Sequence, residues 1–538
     1  MLPFMNVVDS HSKKYVVDFR GLNYGEGYTE GEFSDCKNIS IEKYPCLSPR
    51  YGRKDFVDIV DQPSTLFVKD NRLLAVIGEG VWRVDSDGSF TWVGSVSSGR
   101  KQIASVGNYI LVFPDKVYYN DETGEFGQME WTVTGRPYYD LVFGTDSVTA
   151  KSDMYTRMSG VRVGDAITFS GFEDGDIGAN NKTAVVRKIE EHPAGDDDPW
   201  TSLYFDENTF VEHGREKPNG TTWNSITLTR EIPDLEYLCE CNGRLWGVSG
   251  NTIYGSKYGD PLNFNVFDGL THDSYYIDIG SGGAFTGCAP FSGHVCFFKE
   301  NVIHKLYGSR PSNYQIVTAQ VPGVQSGSER SLCVINDVLY YKGVHGVYSY
   351  AGSVPELVSH QFGTKKFKNA CAGTDGTRYY ISMEGTDGWH LLVYDTMRDM
   401  WVQEDTEQYN NIVSMNGKVY LSTAEGNYVT YADETAGQSD IDWSVTFCPF
   451  CETINERKGY SKFHLRLELG EGARFAVEIK RDTDTEWETV YSVTSEKART
   501  ISIPVLPARC DSVEVRLNGR GKFLLRTFIR EFFTGSDV

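Results

Sequence analysis

Asp395, Glu404 and Asp405, in the stretch VYDTMRDMWVQED, are the carboxylates whose spacing most invites an acid–base reading. Glycosidic hydrolysis needs two such groups about 5 to 10 Å apart, one to donate a proton and one to attack or to activate water. With 74 aspartates and glutamates in the chain, chance pairs are unavoidable. Tyr-Asp, a turn and then Trp is also how a four-stranded β-unit closes its last hairpin, and that structural reading is preferred. Cys448 and Cys451 form a lone C-x-x-C. Zinc wants a second pair at matching spacing, and thioredoxin-like chemistry wants the pair at a helix N-terminus. Strand-rich sequence surrounds this pair, so buried thiols are expected. The ten histidines show no H-E-x-x-H pattern. Glu173-Asp174-Gly175-Asp176 and Asp196-Asp197-Asp198 carry the charge to hold calcium but match no EF-hand loop, and read as solvated loops.

Ser86 to Trp92, SDGSFTW, is similar to the aspartate-box turn of sialidases. Its Asp87-Gly88 spacing is one residue short and no other segment repeats it, so a hairpin turn explains it. No P-loop or dinucleotide fingerprint is present. The chain is therefore read as non-enzymatic, with no catalytic residue, cofactor or metal site assigned.

Whatever the chain does must be carried by its strands. Helical periodicity is nearly absent from the 538 residues, and 13% aromatics with 54 glycines favour many short strands joined by tight turns. A short unit recurs: an alternating apolar strand, a small polar turn, a second strand rich in aromatics, and a glycine turn. Copies run from Leu66 to Val84, Gln102 to Tyr119 and Leu238 to Tyr254. Others start at Phe291, Leu332, Ala370 and Ile412. These are about seven units of roughly 40 residues, the length of a four-stranded propeller blade. Asp70-Asn71, Asn242-Gly243, Asn336-Asp337 and Asn416-Gly417 fall at one place in the unit, as hairpin chemistry requires. One blade cannot bury both its faces; blades stacked around an axis can.

The expected fold is all-β: a β-propeller of about seven blades with an inserted small β-domain and a C-terminal β-sandwich. Residues 56–140 hold the first blades, 141–232 the insert, 233–438 the remaining blades and 439–538 the sandwich. The Gly-, Tyr- and Ser-rich residues 1–55 read as an extended arm joining neighbouring copies. In Gly259-Asp260-Pro261 the proline presets a turn, which is expected to return Phe264 and Phe267 to a blade core. Trp443 and Trp487 are aromatic platforms on which a sugar could stack, with core packing preferred for both.

The net charge is -22 at pH 7 and the pI is about 4.9. No basic cluster capable of gripping a duplex is visible, although like charge suits a passage through which DNA slides, with at most non-specific contact. Arg50, Arg53 and Lys54 stand out against this acidity as candidate interface residues able to orient an acidic face of a neighbouring subunit. The 11 dispersed cysteines suit a reducing cytoplasm. The start of the sequence lacks a signal-peptide pattern, and no apolar run approaches a membrane span.

Three stretches together resemble a family of structural proteins encoded by tailed bacteriophages. They are Gly21 to Arg53, which exits through Pro-Arg-Tyr-Gly-Arg; Asn242 to Phe267, with its Ser-Lys-x-Gly-Asp-Pro-x-x-Phe segment; and Phe297 to Ile316 together with Gly323 to Ser359. The resemblance implies a virion protein assembled in the bacterial cytoplasm. By looser analogy with nozzle-type propeller proteins, it implies a homo-oligomeric ring in the tail or neck, contacting other tail or connector proteins around the DNA exit path. The alternatives are a tail-tip adhesion protein that binds a surface glycan and a propeller glycosidase.

Overall fold

The computed structural model describes residues 11–58, 63–85, 88–137, 139–151, 156–173, 176–192, 199–212, 224–423, 428–433, 435–436, 441–452, 457–482, 484–495, 499–506 and 508–534. Among them, regular structure is β-strand with a few single-turn 3-10 segments, and no helix is long and apolar enough to cross a membrane.

Among the described residues six four-stranded antiparallel sheets have the order of simple meanders, and a seventh completes three such strands with one from far earlier in the chain. Their first strands are Pro63–Lys69, Gln102–Val106, Glu236–Cys241, Gly287–Phe291, Cys333–Ile335, Lys368–Thr374 and Tyr409–Met415. The chain is all-β, and this succession of meanders gives it β-propeller character. The expected turns form as their residue types demand. Asp70-Asn71, Asn242-Gly243, Asn336-Asp337 and Asn416-Gly417 all have φ between 49° and 72° at both positions, the left-handed pair of a type I′ hairpin that twists with its strands.

The chain divides into two compact units, one comprising 1–73, 84–89 and 324–538 and the other 74–83 and 90–323. In the second unit, Glu236–Cys241 packs between Gln102–Val106 and Gly287–Phe291. Trp246, Val248, Ile253, Phe285 and Phe297 fill the space between their meanders. In the first unit the order is Cys333–Ile335, Lys368–Thr374, Tyr409–Met415 and then Pro63–Lys69. Asn411, 5% exposed, joins the last two of these: its amide donates to Pro63 O (3.2 Å) and its carbonyl accepts from Leu66 N (3.2 Å).

The last meander has only three strands of its own. Its fourth is Gly52–Asp58, antiparallel to Tyr428–Asp433 with Arg53 opposite Ala432 and Lys54 opposite Tyr431. The expectation of an extended arm over residues 1–55 is therefore corrected. His11–Val16 pairs with Phe523–Thr534, Glu32–Lys37 pairs with Asp442–Phe447, and Ile39–Ser40 pairs with Ser48–Pro49. The glycines there serve close approach: Gly21 has φ +84°, and a Cβ on it would strike the Trp401 carbonyl.

Two sheets hold the C-terminal residues. One has six strands in the order Gly21–Leu22, Glu32–Lys37, Asp442–Phe447, Val513–Arg520, Ala473–Arg481, Glu488–Ser495. The other runs His11–Val16, Phe523–Thr534, Lys458–Leu469, Arg499–Pro504, with Arg509–Cys510 also on Lys458–Leu469. Alternate residues of both contribute to one buried cluster that includes Trp443, Phe447, Phe463, Phe475, Phe523 and Phe528.

The insert begins earlier than residue 141. Trp131–Gly135 pairs with Ile226–Arg230 and so belongs to the insert, while the second meander already ends at Phe126–Gln128. Its two four-stranded sheets enclose Phe143, Phe169, Phe172, Phe205 and Phe210, with ring centroids 4.8 to 6.0 Å apart and edge-to-face.

Lys342, on Val338–Gly343, is 1% exposed and donates to Gln325 Oε1 (2.8 Å) and Gly343 O (2.5 Å). Burial pushes its pKa down from 10.5 to about 8. Between those values the unfolded chain holds a proton that the folded chain does not, so this group's contribution to stability rises with pH across that window. Lys342→Met is expected to be more stable relative to the parent below pH 8 than at pH 10.5, the difference shrinking by about 3 kcal/mol, read by urea unfolding across pH. Asn411→Ala leaves the buried Leu66 N–H without its acceptor and is expected to lower the unfolding free energy by about 1–3 kcal/mol in the same assay at pH 7.

Candidate functional site

The basic segment ending in Gly52–Asp58 meets the carboxylates of the sixth meander's last strand, Met400–Asp405. Pairing with Tyr428–Asp433 carries Arg53 inward. Its Nη1 bonds Asp405 Oδ2 and the Tyr409 hydroxyl oxygen, its Nη2 lies 3.3 Å from Glu404 Oε2, and its guanidinium stands 5.2 Å from the Tyr409 ring centre. The Tyr409 hydroxyl donates to Asp405 at 3.0 Å. Side-chain exposures are 13% for Arg53, 12% for Glu404 and 6% for Asp405. Burial pushes the Glu404 carboxyl up, with the two arginines pulling against it, and burial likewise raises the Tyr409 phenol. Arg50 donates to Asn38 Oδ1 (2.8 Å) and Tyr51 O (2.9 Å). Lys54 bonds Thr435 and lies 3.5 Å from Asp433.

Of the three basic candidates, then, Arg53 is an internal fastener, Arg50 holds the preceding turn, and Lys54, with 43% of its side chain exposed, keeps a surface position. Glu404 and Asp405 are committed to Arg53. Asp395 caps the turn that follows it, accepting from Met397 N (2.9 Å) and Arg398 Nη1 (2.6 Å). The three carboxylates singled out in the sequence are thus held in ion pairs. The adjacent cleft, of about 360 Å³, is lined by Glu42, Asp375, Glu404, Asp433 and Lys418. Its acids face Arg378, Arg53, Lys54 and Lys418.

The Gly259-Asp260-Pro261 turn is a second junction, which sequence reasoning assigned only to local structure. Asp165 of the insert is fully buried and accepts from Arg230 Nη1 (2.6 Å), Arg162 Nη2 (3.1 Å) and Asn263 Nδ2 (2.9 Å). Asn263 Oδ1 in turn accepts from Ala166 N (3.0 Å), and Asp260 lies 3.3 Å from Arg162. The turn therefore seats the insert on the third meander within the second unit. Phe264 reaches the core, but Phe267 is 53% exposed, packed edge-on against Tyr276. The signal for this role was the polarity of Asp260 and Asn263 beside the apolar Leu262 and Phe264.

Cys448 is buried as expected, whereas Cys451 is exposed; of the eleven cysteines, eight are buried and two half-buried. Burial pushes the Cys448 thiol up to about 12, which removes it from thiolate chemistry near neutrality. Among the described residues no group of three or more His, Cys, Asp or Glu is placed to hold a metal ion. Ser86, Asp87, Asp174, Gly175 and Asp196 to Asp198 lie outside the described residues. Trp443 is core; Trp487 is half-buried under Arg516, 4.3 Å from its ring.

Removing one partner of a buried charge set leaves the others uncompensated. Arg53→Met is accordingly expected to lower the unfolding free energy by about 3–5 kcal/mol in urea titrations, with Arg53→Met/Asp405→Leu recovering part of the loss.

No protein-family model and no curated protein matches the chain. Solved structures similar to it include the computationally designed Ika8 protein (11% identity, 71% of this chain and 100% of that one, TM-score 0.35). Others are the Neurospora crassa Pan2 WD40 domain (9%, 71% and 95%, 0.32) and the Myceliophteria thermophila Cps50 (Swd1) β-propeller domain (9%, 71% and 98%, 0.29). At these scores the propeller character rests on the strand order itself.

Proposed function

We propose that this chain is a non-enzymatic structural protein of a bacteriophage virion, built into the tail or neck as a ring around the DNA exit path. The seven meanders are the blades of a seven-bladed propeller, and the two C-terminal sheets are a β-sandwich. The observation that carries the reading is the weave of the N-terminal strands. Glu32–Lys37 belongs to the C-terminal sheet and Gly52–Asp58 completes the last meander, so flank and blades of the first unit are tied by backbone hydrogen bonds. A body of that kind suits load-bearing contact with neighbours more than opening and closing around a substrate.

The sheet ends supply the means of assembly. His11–Val16 and Glu488–Ser495 are terminal strands of their sheets, and a free strand edge can pair with another copy or with a connector protein. Closed rings arise when such heterologous contacts repeat with rotational closure. The charge of -22 disfavours adhesion to passing DNA, leaving only weak non-specific contact. The resemblance of Gly21 to Arg53 and Asn242 to Phe267 to tailed-phage structural proteins points the same way.

The purified chain is expected to form rotationally symmetric rings in negative-stain electron micrographs, and antibodies against it are expected to decorate the tail or neck of virions. A chain that stays monomeric at every concentration reached, with antibodies that label no virion, would overturn this reading.

A further inference from the structure

The first unit contains a cleft of about 460 Å³ apart from the Arg53 cluster, within the range of roughly 300–1,000 Å³ typical of small-ligand pockets. Asp35, Lys365, Asp387, Trp389, His390 and Gln403 form most of its wall. Asp35 comes from Glu32–Lys37, Trp389 and His390 from Gly388–Asp395, and Gln403 from Met400–Asp405. Ser444, on Asp442–Phe447, and Lys37 complete the rim. The cleft therefore exists only because the N-terminal strand lies between the sixth meander and the C-terminal sheet.

Its polar groups are fixed in place before any ligand arrives. One nitrogen of the His390 ring is 2.9 Å from Asp387 Oδ1 and the other 3.0 Å from Gln403 Oε1, which also accepts from the Tyr24 hydroxyl at 3.3 Å. Lys365 Nζ stands 3.6 Å from Asp387 Oδ2 and 3.6 Å from the centre of the Tyr24 ring. Gly385 leaves room for this: a Cβ there would press on Asp387 Oδ1 and His390 Nε2 at 3.0 and 3.1 Å. Gln403 Oε1 is occupied twice, and its amide nitrogen, which has no acceptor among the described residues, is left to water or to a ligand.

The chemistry of the wall selects the ligand. Trp389 is half-buried and supplies an aromatic surface for an aliphatic ring face. Around it, carboxylate, amide and ammonium groups present both donors and acceptors at fixed positions. Lys37 and Lys365 offset Asp35 and Asp387, so among these four formal charges neither sign is in excess. A flat ring with apolar faces and a rim of hydroxyls, each both donor and acceptor, meets all of these conditions. We propose that this cleft binds a neutral hexopyranose, with Trp389 as the stacking platform and Asp387 and Gln403 as the hydroxyl-reading groups.

The inference goes beyond the virion assignment and does not depend on it, since ring formation and sugar binding are read in separate assays. Titration of the full chain with the methyl pyranosides of glucose, galactose and mannose, followed by calorimetry, is expected to show saturable binding of at least one. Trp389→Ala and Asp387→Asn are each expected to weaken it by about tenfold, while Trp92→Ala, at an exposed tryptophan of the first meander, leaves it unchanged. Both substitutions fall on a partly exposed hairpin, and thermal melts establish that each variant is folded; Asp387→Asn carries the test if Trp389→Ala does not fold. Dextran, galactan and mannan in parallel separate the two sources of such a sugar: tighter binding of polymer than of monomer assigns the cleft to a polysaccharide chain, and equal binding assigns it to free sugar. Absence of saturable binding by all three glycosides, preference for uronic or sulfated sugars, binding undiminished in the folded variants, or release of reducing ends from the polymers would each overturn the proposal.

Discussion

A three-stranded meander with an open edge cannot protect its own backbone groups, and the last meander of this chain is in that position until Gly52–Asp58 reaches it. Much of the first unit follows from that pairing. It brings Arg53 under Asp405, Glu404 and Tyr409, where charges can be buried only because each meets its opposite. It also places Pro63–Lys69 immediately afterwards along the chain, beside Tyr409–Met415, where Asn411 fastens both strands. The preceding residues, already paired into the C-terminal sheets, are thereby committed to the same body. One strand pairing thus couples three regions far apart in sequence, the arrangement expected of a fold that melts as a unit.

The second unit solves a different problem with similar means. Its insert is a complete small β-domain with its own phenylalanine core, and such a domain would be free to swing if only two chain crossings held it. Asn263 and Asp260 of the third meander's turn remove that freedom: Asn263 donates to the buried Asp165, which Arg162 and Arg230 of the insert hold in place, and Asp260 pairs with Arg162. The Arg162–Asp260 pair that crosses the junction contributes more to specifying an orientation than to net stability, because desolvation offsets most of the attraction.

The parts of this architecture that repeat were legible in the sequence. The Asn-Gly and Asp-Asn turns, the alternating strands around them and the body of the insert are local signals, and the backbone at Asn242-Gly243 or Asn416-Gly417 has the conformation those residue types imply. What could not be read were pairings between distant segments. Glu32–Lys37 reads Glu-Phe-Ser-Asp-Cys-Lys, and a bulge between Phe33 and Asp35 shifts the phase so that Phe33 and Cys36 both point inward. That breaks the period-two pattern by which a strand is recognised. Glycines at Gly21 and Gly31 suggested slack where they serve contact. The basic character of Arg53 suggested a surface, because its partners Glu404 and Asp405 are some 350 positions away. The hexose cleft was illegible for the same reason: Asp35 and Trp389 meet only through the fold.

Completion of the last meander by Gly52–Asp58 also sets the order in which the protein can be made. Residue 58 is synthesised 370 residues before its partner strand begins at 428, an interval of roughly 20 to 70 seconds at ordinary translation rates. Throughout that interval a finished strand waits with both edges bare, the state in which nascent chains most readily pair with the wrong neighbour. Its sequence, Gly-Arg-Lys-Asp-Phe-Val-Asp, carries four charges in seven residues, the kind of gatekeeping that keeps such a segment solvated. The arginine later enclosed by the fold is one of those four charges.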